Sequence, residues 1–267
     1  MIQITPDKSV LLWHTARSYL SERTNIEKVD ELASDKTNPK LTMMPDIYFR
    51  LLDSLRNRQG MPKSISNISN LKEVLKGFSP PDVRQTYGLD WQKLFTVIQT
   101  EVSPTSRMEL NSPQNYWVVF TKGALDSAAF LSQFKDGKEF VDSVDLFAEN
   151  EALVAGMPML MTLEITGLGF ALACDFLKEA GWSQYAKPDT HTKKILKGCG
   201  FADGTDYATF KAIVTISKHV DQTPYKVDKV LWLIGSGKLY TINETFDTDR
   251  DEFIRIFNRL STENRNV

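Results

Sequence analysis

The sequence predicts an all-α fold, and three observations support this. Apolar residues recur at the three- and four-residue spacing of helices through most of the 267 residues. Helix-start and helix-stop residues bracket several of these segments, as Thr223-Pro224 and the pair Gly235 and Gly237 do. Strand-like patterns are scarce, since only Val118-Val119 and residues 238–242 qualify, and both are weak. We therefore expect helices with little or no sheet.

The amino-terminal half shows short helical patterns separated by turn-forming residues. Helices are predicted at residues 10–17, 47–55, 71–75 and 91–98. Residues 63–70 and 103–113 are predicted to be loops, because they are polar or rich in turn formers and proline.

The carboxyl-terminal half holds the strongest helical patterns. Ser112 is placed to cap a helix that begins at Pro113, and its apolar face continues to Leu131. Residues 153–163 are apolar almost all round, which predicts a helix buried on most sides. Further helices are predicted at residues 140–147, 170–180, 224–234 and 249–260, and one directly after Asp189.

Composition and charge exclude several classes of protein. Lys and Arg number 32 against 34 Asp and Glu, a net charge of −2, so this is not a basic protein that coats nucleic acid. Two cysteines cannot supply a disulfide framework, an all-cysteine zinc site or a four-thiolate cluster. The longest mainly apolar run, residues 152–161, is too short to span a membrane. Cys174 and Cys199 are expected to be buried, reduced thiols.

One stretch carries more specific information, beginning with Ile165-Thr166-Gly167-Leu168-Gly169 between two helical patterns. Two glycines around one apolar residue allow a tight hairpin, with Leu168 pointing inward. Free N–H groups at the start of the second helix can bind a phosphate. The alternative is a plain turn between two helices.

The second informative element is the segment from Lys187 through Pro188-Asp189-Thr190-His191 to Lys194. Asp189 follows a proline and precedes a helix, so its carboxylate can cap that helix. The alternative is a carboxylate held at a cleft for chemistry.

Together, these two elements resemble the helix-hairpin-helix DNA glycosylase superfamily, the enzymes of base-excision repair. The family hairpin reads roughly Gly-Val-Gly, two further residues, then Thr-Ala, and residues 167–173 fit that frame. The family then places Val-Asp-Thr-His downstream, which residues 188–191 match at the family spacing. The segment 231–235 resembles a Leu-x-x-x-Gly pattern found further on. The resemblance covers about residues 150 to 240.

The resemblance implies two helical lobes with the hairpin at an interlobe cleft. Residues 85–186 would form the hairpin lobe, and residues 1–65 with 187–267 would form the second lobe. Asp189 would stabilise the positive charge on the sugar and activate water, because cleavage of an N-glycosidic bond builds a sugar cation. No metal or other cofactor is implied. The partner would be double-stranded DNA with a damaged base, bound by a monomer in the cytoplasm, or at the nucleoid in a prokaryote, without a membrane.

Candidate contact residues follow from the same resemblance. The DNA contacts expected from it are Thr166, Gly167, Leu168, Gly169, Ala171, Lys187, His191, Lys193 and Lys194. In the window 187–197, four lysines oppose Asp189, a net charge of +3 that a solvated helix face would equally explain. A flipped base needs aromatic or apolar walls. The candidate walls, each of which ordinary core packing would equally explain, are Trp117, Trp182, Tyr185 and Trp232.

Departures from the family pattern limit the chemistry. Ala171 stands where the lyase-competent branch has a nucleophilic lysine, so a Schiff-base step is in doubt, and the cysteine count excludes the cluster-bearing branch. The sequence therefore favours a monofunctional glycosylase. A DNA-binding protein that lost catalysis and a helical interaction domain remain as alternatives.

Overall fold

A computed structural model describes residues 2–34, 39–58, 67–240 and 242–264, and in these residues the fold is all-α, as predicted. The helices, thirteen in the described residues, are α1 (Pro6–Ser21), α2 (Ile26–Leu32), α3 (Met44–Arg56), α4 (Pro80–Tyr87), α5 (Trp91–Val97), α6 (Tyr116–Leu131), α7 (Gly137–Ala148), α8 (Gly156–Glu164), α9 (Phe170–Glu179), α10 (Thr190–Gly198), α11 (Asp206–His219), α12 (Pro224–Ser236) and α13 (Arg250–Glu263).

Extended structure among the described residues is limited to one small antiparallel pair. Strand β1 (Lys238–Leu239) pairs with β2 (Glu244–Thr245), with Lys238 opposite Thr245. The other strand candidate, Val118-Val119, lies inside α6. Two 3₁₀ turns (Ile68–Leu71 and Lys76–Phe78) and a π turn (Ile98–Val102) complete the regular elements.

The chain divides into two compact units. Unit 1 contains Met1–Asn38 and Trp182–Val267, and unit 2 contains Pro39–Gly181. This division differs from the predicted domains at two places. Helix α3 belongs with the hairpin segment, whereas the sequence placed residues 1–65 with the carboxyl-terminal part, and residues 182–186 belong to unit 1, whereas the sequence placed them with the hairpin. Which helices pack together depends on contacts between residues far apart in the sequence. The apolar periodicity of α3 therefore does not show which helix it packs against.

Unit 1 is built around one apolar core to which both ends of the chain contribute. Leu12, Ala16 and Leu20 of α1 are buried in the same cluster as Leu231 of α12 and Phe253 of α13. Because these positions repeat at helical spacing, each helix places a single apolar face on the core.

Unit 2 packs α3 against α6 and α9. Leu51, Leu52 and Leu55 of α3 are buried. The Tyr48 hydroxyl donates to the Ala124 carbonyl at 2.9 Å, and the Ser54 hydroxyl donates to Asp175 at 3.2 Å. These contacts are the physical reason why α3 belongs to this unit.

Two local expectations differ from the structure. Helix α6 begins at Tyr116 with Asn115 as its cap, so Ser112 does not cap it. Helix α8 is buried on one side only, and Leu163 is one of its exposed residues. Most of the predicted loop 63–70 lies outside the described residues.

The loop predicted at 103–113 is confirmed. None of the helices in the described part of the chain is both long and apolar enough to cross a membrane.

Candidate functional site

The two elements singled out in the sequence fall in different units. The hairpin residues lie in unit 2, where residues 165–169 connect α8 to α9. We call residues 165–169 the connecting turn. The Asp189 segment lies in unit 1, directly before α10. Each region is described within its own unit.

The connecting turn has the backbone geometry that its glycines predict. Gly167 has a φ of +81°, a conformation that glycine adopts without steric cost. Leu168 is buried, so its predicted inward orientation is confirmed. Gly169 is the cap residue of α9, and its N–H and that of Ala171 donate to no acceptor among the described residues. Two donors at the start of a helix are therefore open to an acceptor.

Gly169 differs from the other glycines near the turn. Its φ is −73°, which any residue can adopt, and a Cβ placed there would meet no atom within 4 Å. Neither backbone strain nor internal packing therefore requires glycine at position 169. A position without a side chain leaves the backbone open to close approach from outside.

Helix α6 packs against the connecting turn. A Cβ at Gly123 would lie 2.3 Å from the Thr166 carbonyl oxygen and 2.7 Å from Leu55. The Thr166 N–H donates to the Asp126 carboxylate at 3.0 Å. Gly123 is thus required by the close approach of α6 to the turn, which its sequence neighbourhood does not indicate.

Arg58 is a cation beside the turn that the sequence reasoning missed. One of its terminal nitrogens lies 3.6 Å from the place that a Cβ at Gly167 would occupy. It forms no ion pair with a described residue, whereas Arg50 and Arg56 both pair with Asp53. No local sequence signal identifies Arg58, because it lies 109 residues before Gly167 and reaches the turn only through the packing of α3.

The sequence that flanks the connecting turn carries only acidic charges. From residue 139 to residue 177 the chain contains no Lys, Arg or His. The same stretch contains seven carboxylates, Glu139, Asp142, Asp145, Glu149, Glu151, Glu164 and Asp175. The positive window at 187–197 belongs to unit 1, so the lysines counted there are not on the unit that carries the turn.

Asp189 caps α10, as the sequence allowed. Its Oδ1 accepts from the N–H groups of His191 at 2.8 Å and Thr192 at 2.9 Å. The Thr192 hydroxyl lies 3.2 Å from the same oxygen. Oδ2 accepts no hydrogen bond from the described residues, and the side chain is half-buried. Capping therefore uses one carboxylate oxygen and leaves the second available.

The backbone before Asp189 is tied to α12 by a second carboxylate. Asp228 is buried, and its Oδ2 accepts from the Lys187 N–H at 3.1 Å. The Lys187 carbonyl lies 3.2 Å from the Thr192 hydroxyl. The Lys187 backbone is therefore hydrogen-bonded to both Asp228 and Thr192, which fixes the segment that leads to Asp189. A carboxylate three residues before Leu231, on the apolar face of α12, is the sequence signal that could have identified Asp228.

His191 packs directly on α12. A Cβ at Gly235 would lie 2.5 Å from His191 Nδ1, so glycine at 235 makes room for the imidazole. Nδ1 is buried and has no hydrogen-bond partner among the described residues. Gly235 is the glycine of the Leu-x-x-x-Gly pattern at residues 231–235. In the structure, its lack of a side chain leaves the space that the His191 ring occupies. Contact between His191 and DNA stays a prediction.

The predicted DNA-contacting lysines have different environments. Lys193 forms an ion pair with Asp206 at 2.7 Å, so part of the predicted positive charge is compensated by a residue outside the counted window. Lys194 is exposed and pairs with no described residue, whereas Lys187 is half-buried. Of these side chains, Lys194 has the ammonium most accessible to an external phosphate.

Three of the four predicted wall residues are core residues in the structure. Trp117 in unit 2, and Trp182 and Tyr185 in unit 1, are almost completely buried. Tyr185 stacks on Phe210, with ring centroids 6.3 Å apart. The packing role that the sequence also allowed accounts for these three. Trp232 is half-buried, and its place in a base pocket stays a prediction.

Cys174 and Cys199 are buried thiols that are not joined in a disulfide, as expected. Burial raises the pKa of the Cys199 thiol to about 12, which opposes formation of a nucleophilic thiolate near neutral pH. Among the described residues, no group of three or more His, Cys, Asp or Glu side chains is arranged to hold a metal ion.

Comparisons of the chain with protein-family models, with curated proteins and with solved structures gave no match.

Proposed function

We propose that this protein is a DNA N-glycosylase-like hydrolase that uses Asp189 as its catalytic carboxylate. The observation that carries the proposal is the half-buried Asp189 side chain, whose Oδ1 accepts from two backbone N–H groups and whose Oδ2 accepts no hydrogen bond from the described residues. A carboxylate fixed in one orientation stabilises developing positive charge without reorganising during the reaction. Such preorganisation is what cleavage of an N-glycosidic bond requires.

The proposed reaction is hydrolysis of a flipped damaged nucleoside. The bond between C1′ and the base nitrogen breaks, and its electron pair leaves with the base. Asp189 Oδ2 stabilises the resulting sugar cation. A water molecule then attacks C1′ and gives its proton to the carboxylate. Ala171 has no nucleophile, so no covalent lysine intermediate belongs to this scheme.

The proposal assigns DNA contact to the connecting turn. The open N–H groups of Gly169 and Ala171 are donors for a phosphate oxygen, and Arg58 supplies a nearby cation. Asp126 and Glu164 oppose a phosphate by charge. We therefore expect few phosphate contacts and weak non-specific affinity.

The test replaces Asp189 by Asn in the full-length protein. Asn retains an oxygen that can cap α10, so Asp189→Asn removes the charge and keeps the fold. The measurement is release of free base and formation of alkali-labile sites on duplexes that carry deaminated, oxidised or alkylated bases. We expect wild-type activity on one lesion class and a loss of ~100-fold or more in the variant.

Asp249→Asn is the matched control, because Asp249 caps α13 in the same unit through the Asp251 N–H at 2.8 Å. It should leave base release unchanged. Equal activity of wild type and Asp189→Asn, or no base release across the whole lesion panel, would refute catalysis by Asp189.

A DNA-binding role without catalysis is the second candidate, and Ala171 favours it. It is distinguished by duplex binding that weakens with salt while no base is released. Gly169→Trp tests the connecting turn under both candidates, since the added side chain points into open space and obstructs the backbone donors. If this variant binds duplex DNA with unchanged affinity, the connecting turn does not contact DNA.

A further inference from the structure

Helices α7 and α8 and the turn between them expose several large apolar side chains. Five of the twelve large apolar side chains exposed among the described residues lie within 18 consecutive positions. They are Leu146 (74% exposed), Leu153 (51%), Met159 (48%), Leu160 (38%) and Leu163 (84%). We call these five residues the α7–α8 face. Clusters of exposed apolar side chains on a soluble fold mark interaction surfaces.

The opposite sides of the same helices are well packed, so the exposed face is not a sign of loose structure. Met157 and Met161 of α8 and Phe140 and Val144 of α7 are fully buried. A Cβ at Gly156 would lie 2.6 Å from the Phe147 ring, which shows how closely the two elements meet. The core of unit 2 is therefore complete without the α7–α8 face.

The segment of sequence that carries the face has charges of one sign. The segment 139–177 carries seven carboxylates and no basic residue. Asp142 pairs with Lys138, Asp145 with Lys40 and Asp175 with Arg50, so three of the carboxylates are compensated from outside the segment. Glu149 and Glu164, which follow Leu146 and Leu163, form no ion pair with a described residue. Exposed leucines beside uncompensated carboxylates make a surface that is both apolar and acidic.

We propose that the α7–α8 face is the docking site for a basic amphipathic segment of a partner protein. An amphipathic helix places its apolar side chains on a complementary apolar surface at i, i+3, i+4 and i+7 spacing. Lysines or arginines on its flanks complement Glu149 and Glu164 and increase the association rate. One partner then contacts both the exposed apolar side chains and the two carboxylates.

The same charge disfavours two other occupants. A nucleic acid or an anionic lipid surface is repelled by Glu149 and Glu164, the exposed carboxylates beside the leucines that form no ion pair with a described residue. A second copy of this chain that used the same face in a two-fold dimer would bring Glu149 and Glu164 of both copies into one interface, and the face has no basic residue to pair with them. The inference is independent of the proposed glycosylase function.

The experiment titrates the full-length protein with a fluorescent 18-residue peptide that has leucine along one helical face and lysine on the other. Two control peptides replace all lysines by glutamate or all leucines by serine. We expect saturable binding of the leucine–lysine peptide alone, weakened by salt because charge contributes. The double variant Leu146→Ser with Leu163→Ser should bind at least ~10-fold more weakly, the size expected for loss of central apolar contacts.

Two further variants make the test specific. Leu89→Ser is the matched control, since Leu89 is 70% exposed in the same unit but outside the face, and its affinity should equal that of wild type. Glu149→Lys with Glu164→Lys keeps the leucines and reverses the local charge, so it should also weaken binding at low salt. This pair remains informative even if the serine variant is less stable.

Three outcomes would overturn the proposal. One is equal affinity of wild type and both double variants. Another is equal binding of the glutamate and lysine peptides. The third is self-association, measured by sedimentation, that the Leu146→Ser and Leu163→Ser changes abolish, because the occupant would then be a second copy.

Discussion

Gly169 belongs to the connecting turn, and Gly123 of α6 packs against that turn. A side chain would have opposite consequences at the two positions. At Gly123 a Cβ would lie 2.3 Å from a backbone oxygen, a contact that the neighbouring turn cannot avoid without moving. At Gly169 a Cβ would meet nothing. Only Gly123 is therefore a packing requirement, and Gly169 is open toward the outside of the protein.

This contrast predicts the stabilities of two alanine variants. Alanine in a helix interior is usually more stable than glycine by about 0.5–1 kcal/mol. In Gly123→Ala the clash with Thr166 and Leu55 exceeds that gain, so we expect a net destabilisation of ~1–3 kcal/mol. Gly169→Ala should change the free energy of unfolding by less than about 1 kcal/mol. Urea unfolding of both variants measures the difference, and equal stabilities would contradict this account of the turn.

At the scale of single elements, the start of α6 shows how local signals can mislead. Ser112 followed by Pro113 is a common helix start, and the sequence predicted it there. The structure instead begins α6 at Tyr116, where Asn115 accepts from the Trp117 N–H at 3.0 Å and donates to the Arg107 carbonyl at 3.1 Å. Asn115 satisfies one helix donor and also ties down the preceding loop, and Ser112 makes neither contact.

Two substitutions separate these interpretations of α6. Asn115→Ala removes the cap and the loop contact, so unfolding should become easier by ~1 kcal/mol or slightly more. Ser112→Ala should change stability by no more than about 0.5 kcal/mol. Thermal and urea unfolding provide the comparison. A larger effect at Ser112 than at Asn115 would mean that α6 starts earlier in solution.

Helix α8 illustrates a second limit at this scale. Its sequence is apolar on nearly all sides, and such a pattern predicts burial. The structure buries Met157 and Met161 and leaves Met159, Leu160 and Leu163 exposed. A helix that is apolar all round can pack one side on the core of its own unit and leave the other side exposed. Periodicity alone does not distinguish these cases.

At the scale of the whole molecule, the two units differ in chain continuity. Unit 2 is the single stretch Pro39–Gly181, whereas unit 1 combines Met1–Asn38 with Trp182–Val267. The buried residues Leu12, Ala16 and Leu20 of α1 complete the core formed by the carboxyl-terminal helices. The carboxyl-terminal segment by itself would therefore expose the apolar surface that α1 covers.

This topology predicts how fragments behave. Residues 39–181 expressed alone should unfold cooperatively, because all the core elements of unit 2 are present. Residues 182–267 alone should be poorly folded, and addition of residues 1–38 in trans should increase helicity and unfolding cooperativity. Circular dichroism with urea titration tests both statements. A fully cooperative 182–267 fragment would show that α1 is dispensable to unit 1.

The sequence by itself determined the all-α class, most helix positions and the capping role of Asp189. Helical periodicity and capping depend on residues three or four positions apart, so they can be read locally. Only the tertiary structure decided that α3 belongs with the connecting turn and that Lys193 pairs with Asp206. It also decided that Arg58 reaches Gly167 and that α8 keeps an open apolar face. Each of these depends on which distant surfaces meet, and a local pattern does not encode that information.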